Sequence, residues 1–370
     1  MKINSIKDLI DALEQLGEPE DGYTRFFRGH SNAAKYKLEP SIYRQENKYY
    51  HNEDNIIRDA IINNPDEFSD KDTLFDTLVK LQHYGYPTRL LDLTSNPLVA
   101  AYFAVCNLDK HGEIIIFDIP NNDIKYFDSD TVSILSAISL RSDNFSIEID
   151  EVFLKAITLC NQADFLLALS RNFKLDETLS RFKNYIEKIK DNNYIGITPI
   201  TTEKVKNLED KIKKHHIEKL LLEGIPQEKK AFYTKRLSEI EEKTHIEYFN
   251  TRHKILKLLH DIRKDKPEFR PIINKRDLEK VICVKPKLNN KRIIRQQGCF
   301  LLFGINEAKT SQAKLNEDWI RKDLSNRKFI IPKKRKKHIL GELKNFGISH
   351  NTLFPELESQ AKEILEKYKK

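Results

Sequence analysis

The sequence has few cysteines and no long apolar run, and each shortage excludes a class of protein. The cysteines, Cys106, Cys160, Cys283 and Cys299, lie far apart without paired spacing. This argues against a zinc knuckle or a disulfide framework, so we expect reduced and mostly buried thiols. No apolar run could span a bilayer, and the opening MKINSIKDLIDALEQL has the spacing of an amphipathic helix rather than a signal peptide. We therefore expect a cytoplasmic protein with no membrane partner.

Three common chemical motifs are also missing. The sequence has no Walker-type glycine loop ending in Lys-Ser or Lys-Thr, no dinucleotide glycine fingerprint and no His-Glu-x-x-His helix. The segment EIIIFDI, with Glu113 and the earlier Asp92, suggests a metal-dependent nuclease strand, but no lysine follows Glu113 at the usual gap. This disfavours a nuclease without excluding it, and we expect no metal site.

The charge balance is basic. Lysine and arginine number 64 against 56 aspartate and glutamate, a net charge of +8 that favours polyanionic partners. The strongest basic run is KKRKKH. Two interpretations stay open: a solvated face, or a contact with a nucleic-acid backbone through Lys333, Lys334, Arg335, Lys336 and Lys337.

The chain divides into three predicted stretches. Residues 1–122 combine helices with strands, residues 123–269 are helical and charged, and residues 270–370 return to short strands such as KVICVKP and GCFLLFG. Two apolar sets in the middle stretch have the spacing of one helix face: Val205, Leu208 and Ile212, and Ile255, Leu258, Leu259 and Ile262. We predict that strands from both ends share one sheet across a helical insertion.

Unusual residues cluster at two places. TRFFRGHSN predicts a strand that ends on Arg28, Gly29 and His30, a combination of side chains that a buried strand rarely needs. LQHYGYPTRLLDLTSNPLVAAYFAV predicts a turn, a short strand and a helix from Pro97 that Thr94, Ser95 or Asn96 caps. Polar residues gather at this junction: His83, Tyr84, Arg89, Asp92, Thr94 and Ser95. They suit an anion site at a helix start, or a structural Arg89–Asp92 pair and a cap.

These segments resemble the FRG domain family, whose signature is Phe27-Arg28-Gly29. The resemblance rests on FFRGHSNAAKYKLEPSIYR and LQHYGYPTRLLDLTSNPLVAAYFA, with RIIRQQGCFLLFG and HILGELKNFGISHNTLFPELE near the other end. It implies an α+β fold with a mixed sheet, residues 1–122 and 270–370 forming its two parts and residues 123–269 the helical insertion or lobe.

The layout of the motifs is also similar to that of ADP-ribosyltransferases, which implies NAD as a substrate. By that analogy, Arg28 clamps a phosphate and Gly29 lets NAD approach the backbone. Thr94 and Ser95 line the pocket, and Tyr84 stacks on nicotinamide. Arg89 is a further predicted ligand-binding residue.

The predicted catalytic groups are Gln296, Asp92, His83 and His30. Cleavage of NAD produces an oxocarbenium-like ribose that a carboxylate stabilises, yet the late segment offers only Gln296 and Gln297 on an expected strand. Asp92 is one substitute for that acid, and the histidines are candidate acid–base or ribose-binding groups. Two functions stay open: an NAD-using ADP-ribosyltransferase or NAD-cleaving effector, of a toxin or phage-defence kind, and a non-catalytic sensor of a nucleotide or nucleic acid.

Overall fold

The computed structural model describes residues 1–169, 206, 227–357, 360, 361, 365 and 368. The helices are α1 (Ile6–Leu16), α2 (Glu53–Asn63), α3 (Leu74–His83), α4 (Pro97–Val105), α5 (Asp130–Ala137), α6 (Glu151–Leu169), α7 (Gln227–Thr251), α8 (His253–Asp265), α9 (Lys275–Leu278), α10 (Lys291–Gln296), α11 (Lys336–Asn345) and α12 (His350–Leu353). The strands are β1 (Tyr23–His30), β2 (Leu90–Thr94), β3 (Gly112–Pro120), β4 (Ile124–Tyr126), β5 (Val281–Lys285), β6 (Gly298–Phe303), β7 (Ile305–Asn306), β8 (Ala308–Gln312), β9 (Ile320–Arg321) and β10 (Phe329–Ile331).

One large sheet joins strands from both ends of the chain. Its order is β10-β3-β1-β2-β6-β5-β4, and β9 also pairs with β3. Only the β4–β5 pairing is parallel among the pairs described for this sheet. The predicted α+β fold with a mixed sheet is therefore confirmed, as is the prediction that strands from both ends of the chain share it.

The alternation of side chains along β1 and β3 gives the sheet two apolar faces. Phe27 and Ile116 face one cluster, which helices α1, α4 and α11 complete. Phe26 and Phe117 face the other, which contains Trp319. Because neighbouring residues of a strand point to opposite faces, Arg28 lies on the same side of β1 as Phe26.

The junction between β2 and α4 follows the predicted pattern. Asn96 is the residue that caps α4, and its side-chain oxygen accepts a hydrogen bond from the Leu98 N–H at 2.9 Å. The Asn96 N–H in turn donates to the Thr94 hydroxyl at 3.0 Å. The polar residues at this turn thus satisfy the first free N–H groups of the helix.

The expected strand through Gln296 and Gln297 is wrong. Gln296 ends α10, Gln297 has left-handed backbone with φ of 46°, and β6 begins only at Gly298. The side-chain oxygen of Asn290 accepts from the Arg292 N–H at 2.8 Å and so starts a helical turn. The alternation of a strand therefore does not apply to the two glutamines.

The described chain forms two compact units: residues 1–146, 260–269 and 276–370, and residues 147–259 and 270–275. The second unit contains α6, α7 and the first part of α8. Inside it, the Asn161 side chain donates to the Thr244 hydroxyl at 2.8 Å, and Asn250 bonds to the backbone of Ile273. The predicted face of Ile255, Leu258, Leu259 and Ile262 is buried on α8, whereas Val205, Leu208 and Ile212 lie outside the described residues.

The cysteines and the apolar character of the helices can be compared with the sequence-based expectations. Cys283 and Cys299 are buried free thiols and Cys106 is an exposed one, while the side chain of Cys160 lies outside the description. Within the described ranges, no helix has both the length and the apolar character needed to cross a bilayer.

Candidate functional site

The end of β1 brings Arg28 and His30 into direct contact. The Arg28 Nε–H donates to His30 Nε2 at 3.0 Å, and its Nη1–H donates to the backbone oxygen of Asp92 at 2.5 Å. The Asp92 carboxylate lies farther from Nη1, at 3.8 Å, and is 62% exposed, whereas the Arg28 side chain is 15% exposed. Burial lowers the pKa of Arg28, and Asp92 offsets part of that effect.

His30 has an acidic neighbour that the sequence did not reveal as its partner. The register of β1 and β3 sets His30 opposite Glu113, and Glu113 Oε2 lies 3.8 Å from His30 Nδ1. Both side chains are buried, and His30 Nδ1 has no hydrogen-bond partner in the described part of the chain. The other Glu113 oxygen, Oε1, lies 3.1 Å from Lys328 Nζ.

The two buried groups have shifted pKa values. Burial lowers the pKa of His30, Glu113 raises it in part, and the charge of Arg28 lowers it again, so the pKa stays below its usual value. Burial raises the pKa of Glu113, but His30 and Lys328 lower it by more. At neutral pH the site therefore holds a neutral imidazole beside an ionised carboxylate.

His30 and Glu113 open into a cavity of about 450 Å³, which we call the His30 cavity. Ligand pockets for small molecules typically measure about 300–1,000 Å³, so this one has room for a nucleotide-sized group. Its lining includes further charged side chains and two aromatic residues: Tyr36, Lys37, Glu317, Arg321, Lys322, Lys328 and Phe329. The Tyr36 ring stands edge-on to the imidazole, with 5.9 Å between ring centres.

Three of the four predicted catalytic residues meet elsewhere, in a second and smaller cleft. His83, Asp92 and Gln296 line this cleft, which measures about 60 Å³. This volume is well below the roughly 300–1,000 Å³ of typical small-molecule pockets. Arg28 stands between the two places, since it bonds to both His30 and the backbone of Asp92.

The side chains in the small cleft are committed to nearby protein groups. Gln296 Nε2 donates to the Leu353 carbonyl at 3.1 Å. Asp92 accepts from Gln82 Nε2 at 3.0 Å, and His83 Nε2 lies 3.8 Å from a Glu356 oxygen. Burial lowers the pKa of His83, and Arg292 lowers it further.

Arg89 lies in the interior and outside both cavities. It is fully buried, its Nε donates to Glu53 Oε1 at 2.9 Å, and its Nη1 donates to the Phe303 carbonyl at 3.1 Å. The alternative of a structural Arg89–Asp92 pair is wrong, because Glu53 is the carboxylate that pairs with Arg89. A ligand has no access to the Arg89 guanidinium in this arrangement.

The packing of α4 against β1 explains why residue 29 is a glycine. A Cβ on Gly29 would lie 2.0 Å from the Ala100 carbonyl oxygen and 2.6 Å from the Ala104 nitrogen. These are backbone atoms of α4, so the helix packs directly against Gly29 on the side where a Cβ would project. The glycine permits β1 and α4 to approach closely.

Thr94, Ser95 and Tyr84 also have protein partners. The Thr94 hydroxyl donates to the Gln296 carbonyl at 2.7 Å, and the Ser95 N–H donates to the Gln297 carbonyl at 3.1 Å. The exposed Tyr84 hydroxyl donates to Glu67 at 2.9 Å, a bond that raises its pKa. These contacts tie the end of β2 to α10 and the end of α3 to a loop.

The residues of the basic run differ in burial. Lys336 is fully buried, and its Nζ donates to the carbonyls of Ser31 at 2.8 Å and Asn107 at 2.6 Å. Arg335 donates to the Asn4 carbonyl at 3.1 Å, while Lys334 and Lys337 are exposed. Lys336 is thus unable to reach a nucleic acid, and the predicted contact is narrowed to the exposed members.

No group of three or more histidine, cysteine, aspartate and glutamate side chains in the described residues is arranged to hold a metal ion. Glu113 was considered from the sequence only as part of a nuclease strand and not as a partner of His30. The one sequence feature that could have identified it is its position as the acid at the start of the apolar strand EIIIFDI. That strand pairs in antiparallel register with the strand FFRGH.

Residues 24–113 match the family model described as FRG domain. The matched stretch contains Arg28 and His30 at its start and Glu113 at its last residue. No curated protein and no solved structure matches the chain.

Proposed function

Because the chain carries an FRG domain over residues 24–113, we propose that this domain binds NAD in the His30 cavity and cleaves its nicotinamide–ribose bond. The observation that supports the proposal is a buried, ionised Glu113 beside a neutral His30 at a cavity of about 450 Å³. The substrate is thus a nucleotide with two phosphates, and the acceptor is water or a macromolecule.

The chemistry needs a carboxylate near the ribose. When the bond from ribose C1′ to nicotinamide breaks, its electron pair leaves with the nicotinamide nitrogen, which becomes neutral. The ribose becomes an oxocarbenium-like cation, which a nearby carboxylate stabilises. An acceptor oxygen then bonds to C1′ and gives up its proton. Glu113 is the group that we assign to both the stabilisation and the receipt of that proton.

The mouth of the His30 cavity suits the phosphates and the aromatic rings of NAD. Lys37 and Lys322 line it, and both are exposed. Cationic side chains at such a position attract phosphate oxygens. The partly exposed Tyr36 ring offers a surface on which a base or the nicotinamide ring can stack.

A second candidate is a nucleotide sensor that binds without cleavage. It draws support from Lys328, whose Nζ lies 3.1 Å from Glu113 Oε1 and neutralises part of the charge that cleavage requires. In that case Glu113 and Lys328 act as an ion pair at the cavity wall, and NAD or a related nucleotide binds above it.

The test is incubation of the full chain with NAD, with free nicotinamide measured by chromatography. We expect release by the wild-type protein and a loss of about 100-fold or more in Glu113→Gln, the usual range for a positioned acid–base group. Glu14→Gln, at an exposed position on α1, is the matched control and retains the rate.

Asp92→Asn distinguishes the two cavities. If the reaction takes place in the His30 cavity, this variant keeps most of the activity. Activity lost in Asp92→Asn but kept in Glu113→Gln would contradict the proposal. Binding of NAD by calorimetry without release of nicotinamide would favour the sensor.

The cellular role that we propose follows from the reaction. Cells need NAD as a redox cofactor, so an enzyme that depletes the NAD pool would arrest growth in the manner of a toxin or a phage-defence effector. Induced expression in bacteria should lower the NAD pool, and Glu113→Gln should relieve that loss. Equal NAD levels with the two proteins would contradict this role.

A further inference from the structure

The signature arginine has a specific relationship with the histidine two positions later. We propose that Arg28 is a positioning residue that fixes His30 as the neutral tautomer with its proton on Nδ1, the ring nitrogen on the side of Glu113. The signature would then exist to orient an imidazole, and not to hold a phosphate.

The argument begins with the donor. A guanidinium has N–H donors and no acceptor, so the contact of 3.0 Å between Arg28 Nε and His30 Nε2 requires a lone pair on Nε2. A neutral imidazole with a lone pair on Nε2 carries its proton on Nδ1. The Arg28 guanidinium is held in turn by the Asp92 carbonyl at 2.5 Å.

Glu113 is the competing explanation for the same tautomer. Its Oε2 lies 3.8 Å from Nδ1, which is longer than a hydrogen bond. The distances therefore assign the fixing of the proton to Arg28, while the Glu113 carboxylate favours the same tautomer as a more distant acceptor and as a negative charge. The charged groups that face the imidazole are Arg28, Glu113 and Lys328.

The unpartnered atom lies at the wall of the His30 cavity. His30 is 2% exposed, lines the cavity, and has no partner for Nδ1 among the described residues. A buried N–H without an acceptor is costly, and a small movement of the Glu113 carboxylate, whose Oε2 is 3.8 Å away, would satisfy it. Arg28 thus orients the Nδ1–H toward the carboxylate to which we assign the chemistry.

The experiment reads the proton directly, on the full-length protein without ligand. A long-range ¹H–¹⁵N correlation spectrum at pH 7 distinguishes the two tautomers and the imidazolium, and the His30 signal is assigned by its loss in His30→Gln. We expect the Nδ1–H tautomer in the wild type. We expect the same tautomer in Glu113→Gln, because Arg28 still donates to Nε2.

Arg28→Met should change the signal. It removes the donor and frees Nε2 for a proton beside Glu113, so the imidazolium fraction at pH 7 should rise at least about tenfold, as the loss of one charge-assisted hydrogen bond implies. Arg25→Met removes an arginine from the same strand but from its opposite face, and should leave the His30 signal unchanged.

Three results would overturn the assignment: an Nε2–H tautomer or an imidazolium in the wild type, a switch of tautomer in Glu113→Gln, or an unchanged signal in Arg28→Met. If Arg28→Met does not fold, the first two spectra still decide. Since no NAD is present, this outcome is independent of whether the protein cleaves NAD.

Discussion

Arg89 and Glu53 form a two-point ion pair in the interior, and a second cation shares the same carboxylate. Arg89 Nε donates to Glu53 Oε1 at 2.9 Å, and Lys309 Nζ lies 3.4 Å from Oε2. All three side chains are buried. Burial lowers the pKa of Arg89, but the charge of Glu53 outweighs it and leaves the pKa above its usual value. One carboxylate thus compensates two charges that water does not reach.

We therefore expect Glu53→Gln to destabilise the fold strongly. Removing one partner of a buried ion pair leaves uncompensated charge and typically costs about 3–5 kcal/mol in the free energy of unfolding. Denaturant unfolding measures the change. Glu239→Gln is the matched control, because its pair with Arg236 is exposed on both sides and such pairs contribute about 0–1 kcal/mol. Equal effects of the two substitutions would contradict this view of Glu53.

The second prediction separates the packing role of Gly29 from a ligand role. In Gly29→Ala the new Cβ meets backbone atoms of α4 at 2.0 and 2.6 Å, so the helix or the strand must shift. Overpacking of this kind costs about 1–3 kcal/mol or more, which thermal unfolding will detect.

Gly341→Ala in α11 is the control for Gly29→Ala. A Cβ at Gly341 meets nothing within 4 Å, and alanine in a helix is more favourable than glycine by about 0.5–1 kcal/mol. The two substitutions should therefore change stability in opposite directions. A Gly29→Ala protein of normal stability that no longer binds NAD would show that the glycine serves a ligand.

The third prediction concerns pH and Asp265. Burial raises the pKa of Asp265 to about 6, well above the usual range of an aspartate. The folded protein therefore holds this proton more tightly than the unfolded chain, and the stability that it provides is lost as the pH rises through about 6. Asp265→Asn avoids that loss, so its stability relative to the wild type should increase between pH 4 and pH 7.

Asp323→Asn should show the opposite sign. Desolvation raises the pKa of Asp323, but the hydrogen bonds from Arg327 and Ser325 together outweigh it, so the pKa lies below its usual value. Its contribution is therefore present at neutral pH and disappears as the pH falls through its folded pKa. Unfolding curves at several pH values test both variants, and parallel pH profiles would contradict the two assignments.

The fourth prediction tests whether the exposed lysines of the basic run contact nucleic acid. If this run contacts nucleic acid, Lys334→Gln with Lys337→Gln should reduce the slope of log affinity against log salt concentration by about two, since each lost phosphate contact removes about 0.9 from the slope. Filter binding at several salt concentrations measures this slope. An unchanged slope, or no binding by the intact protein, would exclude the contact.

Local sequence patterns predicted much of the fold. The apolar run in EIIIFDI gave β3, and the Asn96-Pro97 pair gave the start of α4, because both depend on a few neighbouring residues. The strand expected at Gln296 failed because the cap at Asn290 and the left-handed Gln297 form a helical turn.

The candidate site was harder to predict because it depends on register. His30 and Glu113 meet only because β1 and β3 pair with those residues opposite each other. The sequence motifs pointed to Asp92 as the catalytic acid, yet its carboxylate is exposed and lines the smaller cleft. The spacing of residues along the chain does not show whether Asp92 or Glu113 will lie beside His30, because that depends on which strands pair.

The strand order of the large sheet also constrains when the protein can fold during its synthesis. Thr94 in β2 pairs with Gly298 in β6, and Ile114 in β3 pairs with Phe329 in β10. Until those late strands leave the ribosome, β2 and β3 have open edges that invite association with other chains. The His30 cavity also needs Lys322 and Lys328 in its wall. The Phe-Arg-Gly signature is therefore synthesised long before the cavity, which cannot form until translation has passed Lys328.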